Sequence, residues 1–351
     1  MNVPETMSAW VQRAYGEVDA VSHRQVPTPR PGAGEVLLRV GAAAINNGDV
    51  RIMRGEPWLV RLAFGIRRPK QPVRGIAVAG TVVAAGPDVT AFAVGDEVVG
   101  ELGGGGLADY AVATADRLVP RPEAVSVVDA ASLPVAAVTA SLALDAAGAP
   151  RIDDAPPPEG GADSREGRGV RRVLVIGASG GVGSFAVKLA AARGAEVWAL
   201  CGERNRAVVE EWGASRSFDY RRVQPGSAEL GGDFDAVLDI AGTASLSALR
   251  ALVRDGGVVV LVSGEGGRLL GPIPRILAAA VRSIGARRPL RPLAAGAHPE
   301  IIGQMLELVA DGTLRPHIER TVSADGADRA LAHVAAGHAV GKTVVVATRP
   351  S

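Results

Sequence analysis

Residues 173–184 read VLVIGASGGVGS, in which an apolar run leads directly into a cluster of glycines. An apolar strand followed by such a turn and then by a helix leaves backbone N–H groups pointing at open space, where they and the helix dipole bind an anion. Glycine also has no Cβ to keep a pyrophosphate away. The alternative is that the turn only packs a helix against a sheet. The residues that would bind a dinucleotide here are Ser179, Gly180, Gly181 and Val182.

The chain after this turn alternates between short apolar runs and helical patterns. The apolar runs span 173–176, 196–200, 235–240 and 258–262, and a helical pattern covers 184–194. Such alternation predicts a doubly wound α/β domain, with a parallel sheet covered by helices on both faces. A second strand about twenty residues after a glycine turn is also the context that dinucleotide binding requires. The context therefore favours a Rossmann domain that binds a dinucleotide over a turn that serves packing alone.

The first third of the chain has a different pattern. Short apolar runs bounded by Gly, Pro and Asp, which are typical of β structure, occur over 35–45, 79–86 and 96–100. A helical pattern follows near 127–147, and strand character returns over 341–348. We therefore predict a β-rich domain formed by two chain segments, with the α/β domain inserted between them. Residues 155–169 are rich in Pro, Gly and charge, which predicts a flexible surface loop at 150–170.

The residues after the second strand of the α/β domain predict which dinucleotide binds. Sites that prefer NAD place a carboxylate there to bind the ribose 2′-hydroxyl, whereas here the strand ends on Leu200, followed by Cys201. Arg204 and Arg206 come next, and a guanidinium group suits a 2′-phosphate. NADPH is therefore favoured over NADH, with Cys201, Arg204 and Arg206 as cofactor-binding residues. The alternative is that both arginines are solvated and that Glu203 binds the ribose.

Composition and charge narrow the possible partners and sites. The formal net charge of +1 gives no general reason to expect a nucleic acid or an anionic membrane as partner. The single cysteine, Cys201, excludes a disulfide within the chain and a zinc site built on cysteines, and the histidines have no metal-ligand spacing. The apolar runs are too short or too interrupted to span a membrane, and the N-terminal residues lack the pattern of a signal peptide. We therefore expect a location in the cytoplasm.

Several segments together resemble the zinc-independent medium-chain dehydrogenase/reductases, in particular the quinone oxidoreductase-like group. They follow the family's order from about Met7 onward, and the ordered set is specific. The segments are AAAINNGDVRIMRG (42–55), AGTVVAAGPDVTAFAVGDEVVG (79–100), ASLPVAAVTASLAL (131–144), GASGGVGSFAVKLAAARGAEVWAL (177–200) and GHAVGKTVVV (337–346). Residues 60–75 resemble the branch that contains the mitochondrial reticulon-interacting oxidoreductase.

The resemblance implies two domains with the active site in the cleft between them. A GroES-like β-barrel domain would comprise 1–134 and 306–351, and a Rossmann domain that binds NADP(H) would comprise 135–305. It also implies a homodimer and no metal. The zinc alcohol dehydrogenases of the superfamily have a Cys at the position of Asn46, and a His–Glu pair where this chain has Gly75–Ile76–Ala77.

The resemblance also implies a reaction, the delivery of hydride from NADPH to an α,β-unsaturated carbonyl or a quinone. The protein must then stabilise the oxygen that gains negative charge. Asn46 is the candidate donor to that oxygen, and Arg51, a second candidate catalytic residue, stands where quinone reductases of the group often have Tyr. For each carried-over residue a packing or capping role is the alternative. Further cofactor contacts are implied for Thr139, Tyr220, Ser263, Gly264 and Lys342.

Two other functions remain open at this point. The fold also suits a pathway-specific tailoring reductase or cyclase of secondary metabolism, or a non-catalytic interaction protein that binds the cofactor. Two basic segments, 54–74 and 266–299, give an indication of the charge of the substrate. They predict attraction of an anionic or carrier-bound small molecule, with a merely solvated arginine-rich surface as the alternative.

Overall fold

The computed structural model describes residues 3–150, 152, 172–263, 269–294 and 296–347. The predicted loop at 150–170 lies outside these residues, apart from Pro150 and Ile152. Within them, the strands are β1 (Thr6–Gln12), β2 (Val21–Pro27), β3 (Glu35–Ile45), β4 (Ala77–Ala85), β5 (Glu97–Glu101), β6 (Tyr110–Thr114), β7 (Leu118–Pro120), β8 (Arg172–Ile176), β9 (Glu196–Cys201), β10 (Ala214–Asp219), β11 (Phe234–Asp239), β12 (Val253–Leu261), β13 (Leu290–Pro292), β14 (Ile318–Ser323) and β15 (Lys342–Val346).

The α-helices of the described ranges are α1 (Asn47–Arg54), α2 (Val60–Phe64), α3 (Val127–Ser132), α4 (Ala136–Ala146), α5 (Gly181–Ala192), α6 (Arg206–Glu211), α7 (Leu246–Leu252), α8 (Ile273–Ser283), α9 (Pro299–Ala310) and α10 (Ala327–Ala335). By its contacts the chain divides into two compact units. Unit 1 comprises Met1–Val138, Arg268–Gly271 and Gly296–Ser351, and unit 2 comprises Thr139–Gly267 and Pro272–Ala295.

Unit 1 is built mainly from antiparallel strands. Its larger sheet, within the described residues, has the order β14-β15-β3-β4-β5-β7, with β6 also paired to β3, and β1 pairs with β2 separately. The central strand β3 is apolar on both faces, because α3 packs against it and the barrel core lies on its other side. Strand β15 runs antiparallel to β3 with Thr343 opposite Ile45. This register brings the start of β15 beside the residues that follow β3.

Unit 2 contains a parallel sheet. Its described strands have the order β10-β9-β8-β11-β12-β13, and their pairings are parallel. Val173, Leu174 and Val175 of β8 are fully buried, as expected for a strand covered on both faces. The strand order reverses direction between β8 and β11, and sheets of this kind bind ligands beyond the carboxyl ends of the strands at that point. The predicted doubly wound α/β fold is confirmed.

The helical pattern predicted near 127–147 divides into two helices, α3 and α4. The break falls at Leu133–Pro134–Val135, because proline lacks the N–H that would continue α3 and restricts the residue before it. Val135 has a φ of 68°, a left-handed conformation that is rare for a β-branched residue. The strands β10 and β13 were not predicted from the sequence, because β10 is largely polar and β13 is very short. Both lie at sheet edges.

Candidate active site

The glycine cluster lies at the carboxyl end of β8 and begins α5, with Gly180 as the N-cap residue. Gly177 has a φ of 87°, which favours glycine. A Cβ on Gly183 would lie 2.2 Å from the Gly177 carbonyl oxygen, whereas a Cβ on Gly180 would lie 3.6 Å from it. Gly177 and Gly183 are therefore required by the fold, while Gly180 leaves room on the open side of the turn. A pyrophosphate fits this arrangement, because the first N–H groups of a helix have no acceptor within the helix.

The residues after β9 are bonded to the glycine turn by Asn205, a residue that no sequence motif indicated. The Asn205 side-chain amide donates to Ser179 Oγ at 3.0 Å. Arg206 Nη1 lies 3.2 Å from Glu203 Oε1, and Arg206 Nε donates to Ser217 Oγ at 3.1 Å. Arg204 is exposed beside them. Glu203, the alternative ribose ligand, therefore has its carboxylate engaged by a cation.

Cys201 and Tyr220 also lie at this end of the sheet. The Cys201 side chain is buried, and burial raises the pKa of its thiol to about 11, so the thiol stays protonated at neutral pH. Its backbone carbonyl accepts a hydrogen bond from the Tyr220 N–H at 3.0 Å. Tyr220 is 46% exposed, and a Cβ on Gly202 would lie 3.8 Å from its Cε1 atom. Tyr220 is thus partly exposed near the end of β9, with the Arg221 guanidinium 5.1 Å from its ring centre, and Cys201 contacts it through a backbone hydrogen bond.

A buried ion pair holds the loop after β11, on the other side of the strand-order reversal. Asp239 ends β11 and is fully buried. Its carboxylate accepts from the Gly242 N–H at 3.0 Å and from Arg275 Nη2 at 2.6 Å. Burial raises the pKa of Asp239, while the Gly242 hydrogen bond and Arg275 oppose that shift. The sequence pattern does not indicate this pair, because Asp239 and Arg275 are far apart in the chain and neither belongs to a local motif.

The remaining cofactor candidates of unit 2 lie in two places. Thr139 is nearly buried within α4, a few residues after the left-handed Val135. Ser263 follows β12, and its N–H donates to the Asp239 carbonyl at 3.3 Å, so this part of the backbone is held against β11. Gly264 lies outside the described residues. Ser263 therefore lies at the same end of the sheet as the glycine turn, whereas Thr139 lies on helix α4 and not on a loop of the sheet.

In unit 1, Asn46 lies buried between β3 and α1. Its side-chain oxygen accepts a hydrogen bond from Lys342 Nζ at 2.6 Å, and its side-chain nitrogen donates to the Ala44 carbonyl at 3.1 Å. Lys342 Nζ also lies 3.3 Å from the Ile45 carbonyl oxygen. A primary amide carries two N–H donors, so one remains beyond the bond to Ala44. Lys342 thereby fixes which end of the Asn46 amide is the donor.

Asp49 anchors the backbone around Asn46. One carboxylate oxygen accepts the Asn46 N–H at 3.0 Å, and the other accepts the Gly75 N–H at 3.0 Å. Gly75 has a φ of 95°, and a Cβ there would lie 2.7 Å from the Leu107 nitrogen. The segment that carries a His–Glu pair in the zinc enzymes is thus, in this chain, a tight backbone crossing held by Asp49.

Burial perturbs the ionisable groups of this cluster. It raises the pKa of Asp49, although hydrogen bonds from the Asn46 and Gly75 N–H groups and the charges of Arg74 and Lys342 oppose that shift. It lowers the pKa of Lys342 to about 8, against an opposing contribution from Asp49. It also lowers the pKa of Arg74, again opposed by Asp49. Lys342 therefore loses its charge as the pH rises through about 8.

Arg51, the second candidate catalytic residue, lies on α1 but on its exposed face, whereas Asp49, Val50 and Met53 face inward. Among the described residues, no three His, Cys, Asp or Glu side chains are grouped so as to hold a metal ion. None of the helices in the described part of the chain has the length and apolar character needed to cross a bilayer.

Comparison with known proteins places these features in a family. The family described as "Alcohol dehydrogenase GroES-like domain" matches residues 32–123, and the family described as "Zinc-binding dehydrogenase" matches residues 212–345. The chain is 32% identical over 339 residues to the chloroplastic quinone-oxidoreductase QR1 of Triphysaria versicolor, covering 94% of this chain and 95% of that protein.

A second relative belongs to the branch that the sequence resembles. The mitochondrial NAD(P)H oxidoreductase RTN4IP1 of Mus musculus is 30% identical to this chain over an alignment 378 positions long. The alignment covers 97% of this chain and 89% of that protein. Among solved structures, the quinone oxidoreductase from Coxiella burnetii has the same fold, with a TM-score of 0.81, 24% identity and coverage of 97% and 99% of the two chains. The predicted resemblance and the GroES-like and Rossmann fold classes are confirmed. The chain belongs to the medium-chain dehydrogenase/reductase superfamily, among its quinone oxidoreductase-like members.

Proposed function

We propose that this oxidoreductase uses NADPH to reduce a quinone or another α,β-unsaturated carbonyl compound, without zinc. The observation that carries the proposal is the buried Asn46 amide, held by Lys342 at the position where the zinc enzymes have a metal-binding cysteine. A neutral donor suits an acceptor whose oxygen gains negative charge during reduction. The names of its relatives, a quinone oxidoreductase and an NAD(P)H oxidoreductase, support the same reaction class.

The residues of unit 2 that would hold NADPH divide by the part of the cofactor that they suit. The N–H groups of Gly181 and Val182, at the start of α5, suit the pyrophosphate, and Gly180 lets it approach. Arg204 and Arg206 suit the 2′-phosphate, because a guanidinium binds phosphate oxygens in a bidentate manner. The Asn205–Ser179 hydrogen bond holds this arginine segment against the glycine turn. When bound, NADPH supplies the hydride.

The residues of unit 1 act on the acceptor. The free N–H of the Asn46 amide donates to the substrate oxygen as negative charge develops there. The Lys342 ammonium, bonded to Asn46 Oδ1 at 2.6 Å, draws electron density from the amide and makes its N–H a stronger donor. Asp49 holds the backbone on which Asn46 is carried, and the product oxygen takes its proton from water.

The experiment is an assay of NADPH and NADH oxidation with a panel of quinones, enones and enoyl thioesters. Turnover with several quinones or enones supports the proposal. Turnover with one bulky substrate alone identifies a tailoring enzyme instead, and cofactor binding without turnover identifies an interaction protein.

The cofactor preference has its own measurement. NADPH should bind at least tenfold more tightly than NADH, a difference of about 1.4 kcal/mol. Arg204→Ala combined with Arg206→Ala should remove most of that difference, whereas Glu203→Gln should leave it in place. Equal affinities in the parent protein contradict the assignment of NADPH.

The homodimer and the location in the cytoplasm stay predictions. Static light scattering during size-exclusion chromatography measures the first. Microscopy of a tagged chain in the source cell measures the second, and the chloroplastic and mitochondrial locations in the relatives' names supply the alternatives.

A further inference from the structure

Residues 57–70 of unit 1 present large apolar side chains to solvent over a short stretch. Trp58 is 51% exposed, Leu62 65% and Ile66 69%. Leu269 and Leu270 adjoin this stretch, because the Leu59 N–H donates to the Leu269 carbonyl at 3.3 Å. We call this surface the apolar patch; it comprises Trp58, Leu59, Leu62, Phe64, Ile66, Leu269 and Leu270, all exposed by more than a third.

The segment that carries the apolar patch is held from its other side. The Arg61 guanidinium lies 4.5 Å from the Tyr15 ring centre, and its Nε donates to the Gly55 carbonyl at 3.0 Å. Tyr15 Oη donates to the Gly65 carbonyl at 2.5 Å, and the Lys70 N–H donates to the Phe64 carbonyl at 2.7 Å. The Arg61 side chain thus faces the protein while Leu62 and Ile66 face water, which is the reverse of an ordinary surface helix.

The surroundings of the apolar patch are basic. The sequence from Pro57 to Arg74 contains no aspartate or glutamate, and Arg67, Arg68 and Lys70 are exposed at its end. The whole chain has a net charge of only +1, so the positive charge is a local property of this surface.

We propose that the apolar patch and its basic border dock the protein on an anionic lipid surface. Apolar side chains that enter the headgroup region, combined with cations that pair with anionic headgroups, are the two contributions that hold a protein at a membrane interface. A second copy of the chain is a poorer partner, because a twofold contact would bring the basic residues of both copies into one interface, where like charges repel. The inference goes beyond the proposed reaction and does not depend on it.

The test uses the full chain and vesicles of phosphatidylglycerol or phosphatidylcholine, with neither NADPH nor substrate present. Trp58 is a built-in reporter, because Trp10, Trp198 and Trp212 are 8%, 6% and 8% exposed. Phosphatidylglycerol vesicles should sediment the protein and shift its tryptophan emission to shorter wavelength, and phosphatidylcholine vesicles should do neither. Added salt should weaken the binding, because salt screens exposed charges.

Two variants separate the contributions. Arg67→Gln with Arg68→Gln should raise the half-saturating lipid concentration by roughly 30-fold, whereas the matched pair Arg24→Gln with Arg30→Gln should change it less than twofold. Leu62→Ser with Ile66→Ser should abolish the emission shift, whereas Val94→Ser, a change at another exposed apolar side chain, should not. These side chains are exposed, so the melting temperatures should stay close to that of the parent.

Three outcomes would overturn the inference. The first is a parent protein that fails to bind phosphatidylglycerol vesicles at low salt, and the second is binding that survives both patch variants. The third is an oligomer that dissociates in Leu62→Ser with Ile66→Ser, which would assign the apolar patch to a contact between copies of the chain. Reduction of a water-soluble quinone is measured separately, so failure here and failure of the proposed reaction are distinguishable.

Discussion

At the scale of single residues, the donor proposed for the reaction depends on a residue 296 positions away in the chain. Lys342 binds the oxygen of the Asn46 amide, and this leaves the nitrogen as the end that donates. An amide without such a partner can present either end to a ligand. This charge-assisted hydrogen bond therefore leaves the amide nitrogen of Asn46 as the end that can donate to an acceptor.

Replacing Asn46 with Ala should lower kcat by about 10²-fold, the cost of one oxyanion donor. KM and NADPH affinity should change little, because the interaction strengthens only in the transition state. Asn46→Asp should be worse, since a carboxylate repels the developing charge. Asn47→Ala, at the exposed neighbouring residue, is the control. A kcat within twofold of the parent for folded Asn46→Ala would remove Asn46 from the mechanism, whereas a structural role predicts a lower melting temperature with near-normal kcat.

Lys342 should give the reaction a pH dependence, because its pKa is about 8. As pH rises through that value the ammonium loses its charge, so kcat should fall. Lys342→Met should remove this alkaline limb and lower kcat at pH 7 by about tenfold, or about 1.4 kcal/mol. Lys188→Met is the matched control, because burial also lowers the pKa of Lys188 to about 8 while that residue lies in unit 2. An unchanged limb in Lys342→Met would assign the pH dependence to another group.

The lowered pKa of Lys342 also determines how the free energy of unfolding should change with pH. The folded-state pKa of Lys342 is below its ordinary value of 10.5, so the unfolded chain binds more protons between pH 8 and 10.5. The free energy of unfolding should therefore rise with pH across that window, and less so in Lys342→Met. Chemical denaturation at pH 8 and pH 10 measures the difference, which does not require turnover.

At the scale of elements, the glycines that begin α5 serve two purposes that substitution can separate. Gly183→Ala should destabilise the protein by about 1–3 kcal/mol, because its Cβ would lie 2.2 Å from the Gly177 carbonyl oxygen. Gly180→Ala should leave the melting temperature within a few degrees, since the nearest atom would be 3.6 Å away, yet it should weaken NADPH binding about tenfold or more. Thermal melts and cofactor titration of both variants measure this. Equal NADPH affinity for Gly180→Ala and the parent would place the pyrophosphate elsewhere.

The ion pair between Asp239 and Arg275 acts at the same scale. It joins α8 to the end of β11, and the Ile240 and Ala241 N–H groups that follow bond to the Ile176 carbonyl at 3.1 and 3.2 Å. The loop after β11 is thereby fixed beside the glycine turn. Removing one partner of such a buried pair strongly destabilises a protein. The pair therefore holds the loop after β11 in its place beside the glycine turn.

At the scale of the whole molecule, the chain belongs to a superfamily that contains zinc enzymes, yet its residues fit a reaction without zinc. Purified protein should contain much less than one zinc per chain, and a chelator should leave kcat and the melting temperature unchanged. The reasons are the Asn46 amide at the metal-binding position and a lone cysteine whose burial raises its pKa to about 11. Atomic emission analysis measures the zinc content, and stoichiometric zinc tied to activity would contradict the assignment.

The sequence by itself determined the elements that depend on local chemistry. The strand, glycine turn and helix around Gly180 follow from an apolar run that leads into glycines without a Cβ, and these are properties of neighbouring residues. The parallel sheet follows from the recurrence of buried strands between helices. The arginines after β9 could be recognised as candidate ligands of a 2′-phosphate, because that prediction depends only on how closely they follow the strand in the sequence.

The tertiary structure alone decided which distant side chains meet. The bond between Lys342 and Asn46 depends on the antiparallel register of β15 and β3, and the pair of Asp239 and Arg275 depends on how α8 packs against the sheet. The sequence showed that 54–74 is basic, but only the fold turned Leu62 and Ile66 outward and Arg61 inward. Periodicity and turn chemistry act over a few residues, whereas register and packing choose partners across the chain, and the pattern of a segment does not encode that choice.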